Sequence, residues 1–131
     1  MVAQEACPMW VPLVEDNTFN TPGGTFFIKQ NLESILSKDP QIDTLILGCT
    51  HYPILMEQIR KYVPGSVNII AQGKIVADKL VDYLKRHPEM ADKCSKKGMT
   101  MYYTTESPRS FEEAASLFLD EVIAAEQIQL S

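Results

Sequence analysis

Residues Asp43 to His51 read DTLILGCTH, a short apolar run that passes into a polar turn. The run Thr44–Leu47 is continuous and is bounded by an aspartate and a glycine, which predicts a strand buried on both faces of a parallel sheet. Cys49, Thr50 and His51 follow at the carboxyl end of that strand. Ligands gather at this end of parallel strands because loops converge there and the next helix presents free amides. These three polar residues are therefore candidates for a functional site.

Helical and strand patterns alternate on both sides of this stretch. The expected elements are helices over residues 25–37, 54–63, 75–84 and 111–123, strands over 67–71 and 99–104, and loops over 16–25 and 88–98. The segment Val2–Val14 is expected to form a short strand that runs into a loop, because its two prolines argue against a helix. The last helix could begin at Ser107-Pro108, or at Ser110, which with Glu113 would form a capping box. This order predicts an α/β fold with a parallel sheet and helices on both faces.

The chain has 131 residues, a net charge of −5, three cysteines and two histidines. Its length fits one ordinary domain, and its acidic charge argues against a nucleic-acid partner. No apolar run approaches the roughly 20 residues that cross a bilayer, and no secretory signal is apparent, so we expect no membrane partner and a cytoplasmic location. The histidines and cysteines do not have the spacing of a zinc site, and no close cysteine pair predicts a disulfide.

Cys49 can act as a base if its thiol ionises near neutral pH. A thiol between a strand end and a helix start feels backbone dipoles and an imidazolium two residues on, and both favour the thiolate relative to the unperturbed pKa of about 8.5. The alternative is that Cys49 packs in the core, as cysteines often do, and that His51 only satisfies a loop hydrogen bond. Glu15 could orient a histidine or bind an ammonium group, or it could be a solvated surface charge. We expect Cys7 inside the fold and Cys94 in an exposed loop without catalytic use.

Two motifs resemble bacterial glutamate racemases. Residues 47–53 (LGCTHYP) resemble the second catalytic cysteine motif of that family, and residues 6–15 (ACPMWVPLVE) resemble the segment that precedes it. The stretch from Tyr102 to Pro108, followed by a helix that begins with phenylalanine, resembles the family's last strand and helix. The resemblance therefore covers nearly the whole chain.

This resemblance implies a cofactor-independent isomerase that inverts glutamate between two thiols, without pyridoxal phosphate or metal; aspartate or a related acidic amino acid stays open as the substrate. Cys49 would be one of the two thiols, and His51 would tune it or relay its proton. Thr50 would help to bind the substrate carboxylate, and Glu15 would assist the same thiol. A cytoplasmic role in peptidoglycan biosynthesis would follow.

The chain also departs from the family pattern. It has neither the Asp-Ser-Gly-rich first strand nor the motif of the first catalytic cysteine, and residues 71–73 (AQG) stand where many members have an Asp-led turn. We therefore expect a partial two-domain racemase architecture that lacks most of the N-terminal domain. Residues 1–73 would belong to the second domain, and residues 74–131 would supply the closing helix, strand and helix of the first. Alone, the chain would be inactive, and it would form a homo-oligomer or associate with the missing N-terminal half.

Two other functions stay open at this point. The chain could be a non-catalytic α/β module that self-associates or binds a partner. It could also be a hydrolase that uses Cys49 and His51 as nucleophile and base, although such pairs usually come from separate elements rather than from positions two residues apart.

Overall fold

A computed structural model describes residues 2–96, 98–119 and 121–130. The chain divides into two compact units, Met1–Asp82 and Tyr83–Ser131. The assignment of residues 1–73 and 74–131 to two racemase domains remains a prediction. Among the described residues, no helix combines the length and the apolar character that crossing a membrane requires.

The first unit alternates helices with two short strands. Its elements are α1 (Trp10–Glu15), α2 (Pro22–Ser37), β1 (Thr44–Ile46), a 3-10 helix (Tyr52–Leu55), α3 (Met56–Tyr62), β2 (Asn68–Ile70) and the first part of α4 (Gln72–Arg86), which continues into the second unit. β1 and β2 pair in parallel, with Leu45 opposite Ile69. This arrangement confirms the predicted α/β class and its parallel strand pairing.

Local chemistry explains where α2 begins. The hydroxyl of Thr21 accepts a hydrogen bond from the Gly24 N–H at 3.2 Å, and Pro22 occupies the first helical position, where no N–H is needed. The backbone packing favours glycine at position 24, because a Cβ there would lie 2.4 Å from the Thr18 carbonyl oxygen. The helix thus starts three residues before the predicted Thr25.

A single apolar core holds the first unit together. α2 buries Ile28, Leu32 and Ile35 and packs against α1 and α3. The buried apolar side chains of this unit are Trp10, Leu13, Val14, Ile28, Leu32, Ile35, Leu47, Leu55, Ile59, Val63, Val67 and Ile69. Leu47 and Leu55 lie on either side of the Cys49–His51 loop, so the core fixes both ends of that loop.

Two expectations for this unit are wrong. The short strand predicted to run into a loop over Val2–Val14 does not form: residues 2–7 have no regular secondary structure, and Trp10–Glu15 is the helix α1. The helix tolerates Pro12 because this is its third residue, in the first turn, where a missing N–H costs no intrahelical bond. β1 is also not buried on both faces: its pattern is exposed, half-buried, exposed, and 65% of Ile46 is accessible. The reason is that Thr44 and Ile46 alternate onto the same face of the strand, and this face is open to solvent.

The second unit contains the end of α4, then α5 (Pro88–Ala91), β3 (Tyr102–Thr104), α6 (Pro108–Leu119) and β4 (Ala125–Gln127). β3 and β4 pair in parallel. The last helix begins at Pro108, so the Ser107-Pro108 alternative is the correct one.

Two sequence expectations for the second unit need correction. The predicted loop over residues 88–98 contains α5, and the predicted helix over 111–123 ends at Leu119 and is followed by β4. Beyond the helix, the Ile123 N–H donates to the Ser116 hydroxyl at 3.0 Å, a bond that does not belong to the helical pattern. Lys97 and Asp120, which fall in these two segments, lie outside the described residues.

Candidate functional site

The loop after β1 is held by backbone hydrogen bonds. The Tyr52 N–H donates to the Cys49 carbonyl at 3.3 Å, and the Ile54 N–H donates to the His51 carbonyl at 3.1 Å. These bonds turn the chain directly into the 3-10 helix. The side chains of Cys49 and His51 are therefore presented from a fixed turn at the carboxyl end of β1.

Three side chains form a chain of polar contacts in this region. Cys49 Sγ lies 3.8 Å from His51 Nδ1, and His51 Nε2 lies 2.5 Å from Glu15 Oε1. The histidine ring therefore bridges the thiol and the carboxylate. The group is open to solvent, since 32% of the His51 side chain and 60% of the Glu15 side chain are accessible.

Packing of α1 explains how Glu15 reaches His51 from 36 positions earlier in the chain. Glu15 is the last residue of α1, and this helix contacts the 3-10 helix. The Trp10 ring meets the Tyr52 ring edge-on with 4.7 Å between centroids, and the Tyr52 hydroxyl donates to the Cys7 carbonyl at 3.5 Å. These contacts fix α1 beside the loop that carries His51.

This arrangement stabilises the charged forms of both Cys49 and His51. The backbone N–H of His51 donates to the sulfur and is the main cause that lowers the pKa of the Cys49 thiol, and the His51 imidazole lowers it further. The Glu15 carboxylate, as hydrogen-bond partner, is the main cause that raises the pKa of His51, and Cys49 raises it further. The geometry thus favours a thiolate beside an imidazolium.

The remaining predicted residues occupy distinct places. Thr50 is exposed in the loop between Cys49 and His51. Cys7 is half-buried, and burial raises the pKa of its thiol to about 11. Cys94 is exposed, and its thiol donates to the Met90 carbonyl at 3.4 Å. Among the contacts of the described residues, Cys49 is the cysteine that lies beside a histidine.

Sequence reasoning missed the structural part played by two aromatic residues. Trp10 and Tyr52 join α1 to the 3-10 helix. Trp10 is the single tryptophan of the chain, and this large side chain is the sequence signal that could have indicated a packing role. In the described ranges, no group of three or more histidine, cysteine, aspartate or glutamate side chains has the geometry of a metal site.

The sequence is similar to those of proteins named glutamate racemase, although no family model matches the chain. The racemase of Persephonella marina is 39% identical over 130 residues, which cover 99% of this chain and 46% of the relative. A racemase of Streptococcus agalactiae is 35% identical over 132 residues, covering 98% of this chain and 48% of the relative. The chain thus spans about half the length of the curated relatives it matches.

Solved structures give the same result. The glutamate racemase isoform RacE1 from Bacillus anthracis superposes with a TM-score of 0.82 at 36% identity, over 96% of this chain and 46% of the other. The racemase of Francisella tularensis in complex with D-glutamate superposes with a TM-score of 0.76 at 26% identity, over 95% of this chain and 46% of that one. Sequence and fold agree: this chain, which spans about half the length of these relatives, belongs to the glutamate racemase family.

Proposed function

We propose that this chain supplies one of two catalytic thiols for the cofactor-independent racemisation of glutamate. The observation that carries the proposal is the contact chain from Cys49 through His51 to Glu15, at the carboxyl end of a parallel strand. Relatives named glutamate racemase, and a similar structure in complex with D-glutamate, support the choice of substrate.

Cys49 acts on the α-carbon of the amino acid. Its thiolate removes the α-proton, so that an S–H bond forms, the Cα–H bond breaks, and the electron pair moves toward the substrate carboxylate. A second thiol on the opposite face then gives up its proton to Cα, and that sulfur becomes the thiolate. Two bases are needed because a single base tends to return the proton to the face it came from.

His51 and Glu15 prepare Cys49 for this step. The backbone N–H and the imidazole of His51 favour the thiolate, which raises the fraction of Cys49 able to act as a base. Glu15 holds the ring and stabilises its charged form. Thr50, exposed beside the thiol, binds the substrate carboxylate.

The second thiol comes from the half of a glutamate racemase that this chain does not match. That half is therefore the partner of this chain. The isolated chain would then not racemise glutamate, whether it is a monomer or a homo-oligomer. In the cell, the assembled enzyme would work in the cytoplasm and supply D-glutamate for peptidoglycan biosynthesis.

A hybrid enzyme tests the proposal. In the hybrid racemase, this chain replaces the part of the Persephonella marina enzyme that it matches. We expect the hybrid racemase to convert L-glutamate to D-glutamate, and Cys49→Ser to lower kcat by at least about a hundredfold, the usual contribution of a positioned base. Cys94→Ser, which changes an exposed cysteine outside the site, should leave kcat within about twofold. A folded Cys49→Ser hybrid with unchanged kcat would refute the proposal.

A further inference from the structure

The candidate site depends on the last residue of a short helix. α1 has six residues, and Glu15 is the last of them. Helix ends fray unless their free carbonyl groups find donors, so the position of Glu15 depends on how α1 ends. The Glu15 carboxylate lies 2.5 Å from His51 Nε2, and a hydrogen bond of this kind is lost after a small displacement. The residues that end α1 therefore affect the candidate site.

α1 ends in a Schellman motif. The Thr18 N–H donates to the Leu13 carbonyl at 2.9 Å, and the Asn17 N–H donates to the Val14 carbonyl at 3.0 Å. These two bonds satisfy carbonyl groups that a helix end leaves free, and they form when the second residue beyond the helix adopts a left-handed conformation. Asn17 is that residue, and its φ is 50°.

The type of residue at position 17 bears directly on this motif. A positive φ is uncommon for residues other than glycine, and asparagine adopts it several times more often than most. Among the described residues, Asn17 is the non-glycine residue with a positive φ. Asn17 is also exposed, so its backbone preference matters more here than the packing of its side chain.

The chain beyond Asn17 is held separately against α2 and α3. The Thr18 carbonyl accepts from the Thr21 N–H at 3.0 Å and from the Thr21 hydroxyl at 2.7 Å. The side-chain amide of Gln58, a buried residue of α3, donates to the Asn20 side-chain oxygen. Since α1 is fixed beside the 3-10 helix and this loop is fixed beside α2 and α3, the conformation of Asn17 has to suit both.

We propose that Asn17 is a positioning residue of the candidate site: its left-handed backbone closes α1 directly beyond Glu15 and thereby holds the Glu15 carboxylate against His51. Asn17 acts through Glu15. The inference rests on the proposed function, since it adds a residue to the site that the proposed function uses.

The pKa of His51 reports the contact. The hydrogen bond with the Glu15 carboxylate is the main cause that raises this pKa, and Cys49 is the other ionisable group that raises it. A displaced Glu15 carboxylate should therefore lower the pKa of His51 even though the carboxylate is still present. Nuclear magnetic resonance titration of the 131-residue chain measures this, with His87 beside Glu89 as the internal control.

Two substitutions of Asn17 should have opposite outcomes. Asn17→Val disfavours the left-handed conformation because its side chain is β-branched, and we expect it to lower the His51 pKa at least half of the way to the value in Glu15→Gln. Asn17→Gly adopts a positive φ without steric cost and should titrate like the parent. Asn17→Ala carries a smaller steric penalty than valine and should give a smaller shift in the same direction, which keeps the test available if the valine variant does not fold.

Thr18→Val is the matched control. It places the same β-branched side chain one position later, where φ is not positive, and should leave the His51 pKa unchanged. In the Glu15→Gln chain, Asn17→Val should change the His51 pKa no further, because the carboxylate through which Asn17 acts is gone. A folded Asn17→Val chain that titrates like the parent would overturn the proposal, and so would equal shifts with and without the Glu15 carboxylate.

Turnover by the hybrid racemase separates this proposal from the proposed function. Asn17→Val should lower kcat at least about tenfold, since small displacements of positioned groups reduce rates strongly, whereas Asn17→Gly should keep at least half of the parent kcat. A lowered His51 pKa with an unchanged kcat would uphold the positioning by Asn17 and count against the catalytic part given to His51 and Glu15. A lowered kcat with an unchanged His51 pKa would overturn the positioning by Asn17 and leave the proposed function intact.

Discussion

His51 Nε2 lies 2.5 Å from the carboxylate of Glu15, while the other nitrogen of the same ring faces the sulfur of Cys49 at 3.8 Å. One imidazole thus links an acidic residue at the end of α1 to a thiol at the end of β1. Because the carboxylate favours the charged ring and the charged ring favours the thiolate, a change at Glu15 should be felt at the sulfur.

Alkylation by iodoacetamide reports the ionisation of Cys49. We expect its rate to rise with pH around an inflection below that of an ordinary thiol, because the His51 backbone N–H and imidazole both lower the Cys49 pKa. His51→Ala should move the inflection upward only in part, since the backbone N–H remains. Cys7, whose pKa is raised to about 11, should react slowest, and peptide mass spectrometry separates the sites. An unchanged inflection in His51→Ala would contradict the role given to the ring.

Glu15→Gln should lower the pKa of His51 toward its ordinary value, because the carboxylate is the main cause that raises it. Nuclear magnetic resonance titration of the two histidine rings measures this, with His87, which pairs with Glu89, as the internal control. Titration of His51 at the same pH in both proteins would contradict the pairing.

The same pair should make stability depend on pH in a defined direction. A raised folded-state pKa of His51 stabilises the protein below the unfolded pKa, near 6.5, and this contribution is lost as the pH rises through the folded value. The Tm difference between the parent and Glu15→Gln should therefore be larger at pH 6 than at pH 9. A difference that grows toward pH 9 would have the wrong sign.

Two adjacent glycines in α2 should respond in opposite ways to alanine. Gly24→Ala places a Cβ against backbone at 2.4 Å from the Thr18 oxygen, so we expect a loss of about 1–3 kcal/mol of unfolding free energy. Among the described residues, the atom near a Cβ on Gly23 is the Thr21 hydroxyl oxygen, at 4.0 Å, so Gly23→Ala should gain about 0.4–1 kcal/mol because alanine restricts the unfolded chain. Urea denaturation measures both, and equal effects would contradict the close approach at Gly24.

The core that anchors the site loop gives a further test. Leu55 is fully buried at the end of the 3-10 helix, and Leu55→Ala should cost about 2–5 kcal/mol. Leu80→Ala, at a side chain that is 55% accessible on α4, should cost less than about 0.5 kcal/mol. Similar costs for the two leucines, measured by urea denaturation, would show that Leu55 does not hold the loop.

Periodicity and turn chemistry predict most elements but not how they meet. The strand at Thr44–Leu47 and the helices on either side were predictable because their apolar residues repeat with clear spacing. β4 has no such run, since Ala125, Glu126 and Gln127 become a strand only by pairing with β3. The exposure of β1 was equally unpredictable, because the burial of a strand depends on which other elements pack against it, and the local sequence does not show this.

In the candidate site, too, local features were predictable from the sequence and contacts between elements were not. The position of Cys49 and His51 after a strand is a local pattern, and so it was open to sequence reasoning. The contact of His51 with Glu15 depends on how α1 packs, whereas the sequence predicts a short strand running into a loop over Val2–Val14. The residue pattern leaves Glu15 open between a site residue and a surface charge, and the resemblance to the family favours the first.

Exchange of the α-hydrogen in deuterated water tests the central claim most directly. The hybrid racemase is incubated with L-glutamate, and the α-position of each enantiomer is followed by mass spectrometry after chiral separation. If Cys49 is one of two thiols on opposite faces of Cα, newly formed D-glutamate will carry deuterium at Cα, and Cys49→Ser will abolish the inversion. D-Glutamate that retains the original α-hydrogen, or deuterated D-glutamate formed at an undiminished rate by Cys49→Ser, would contradict the account.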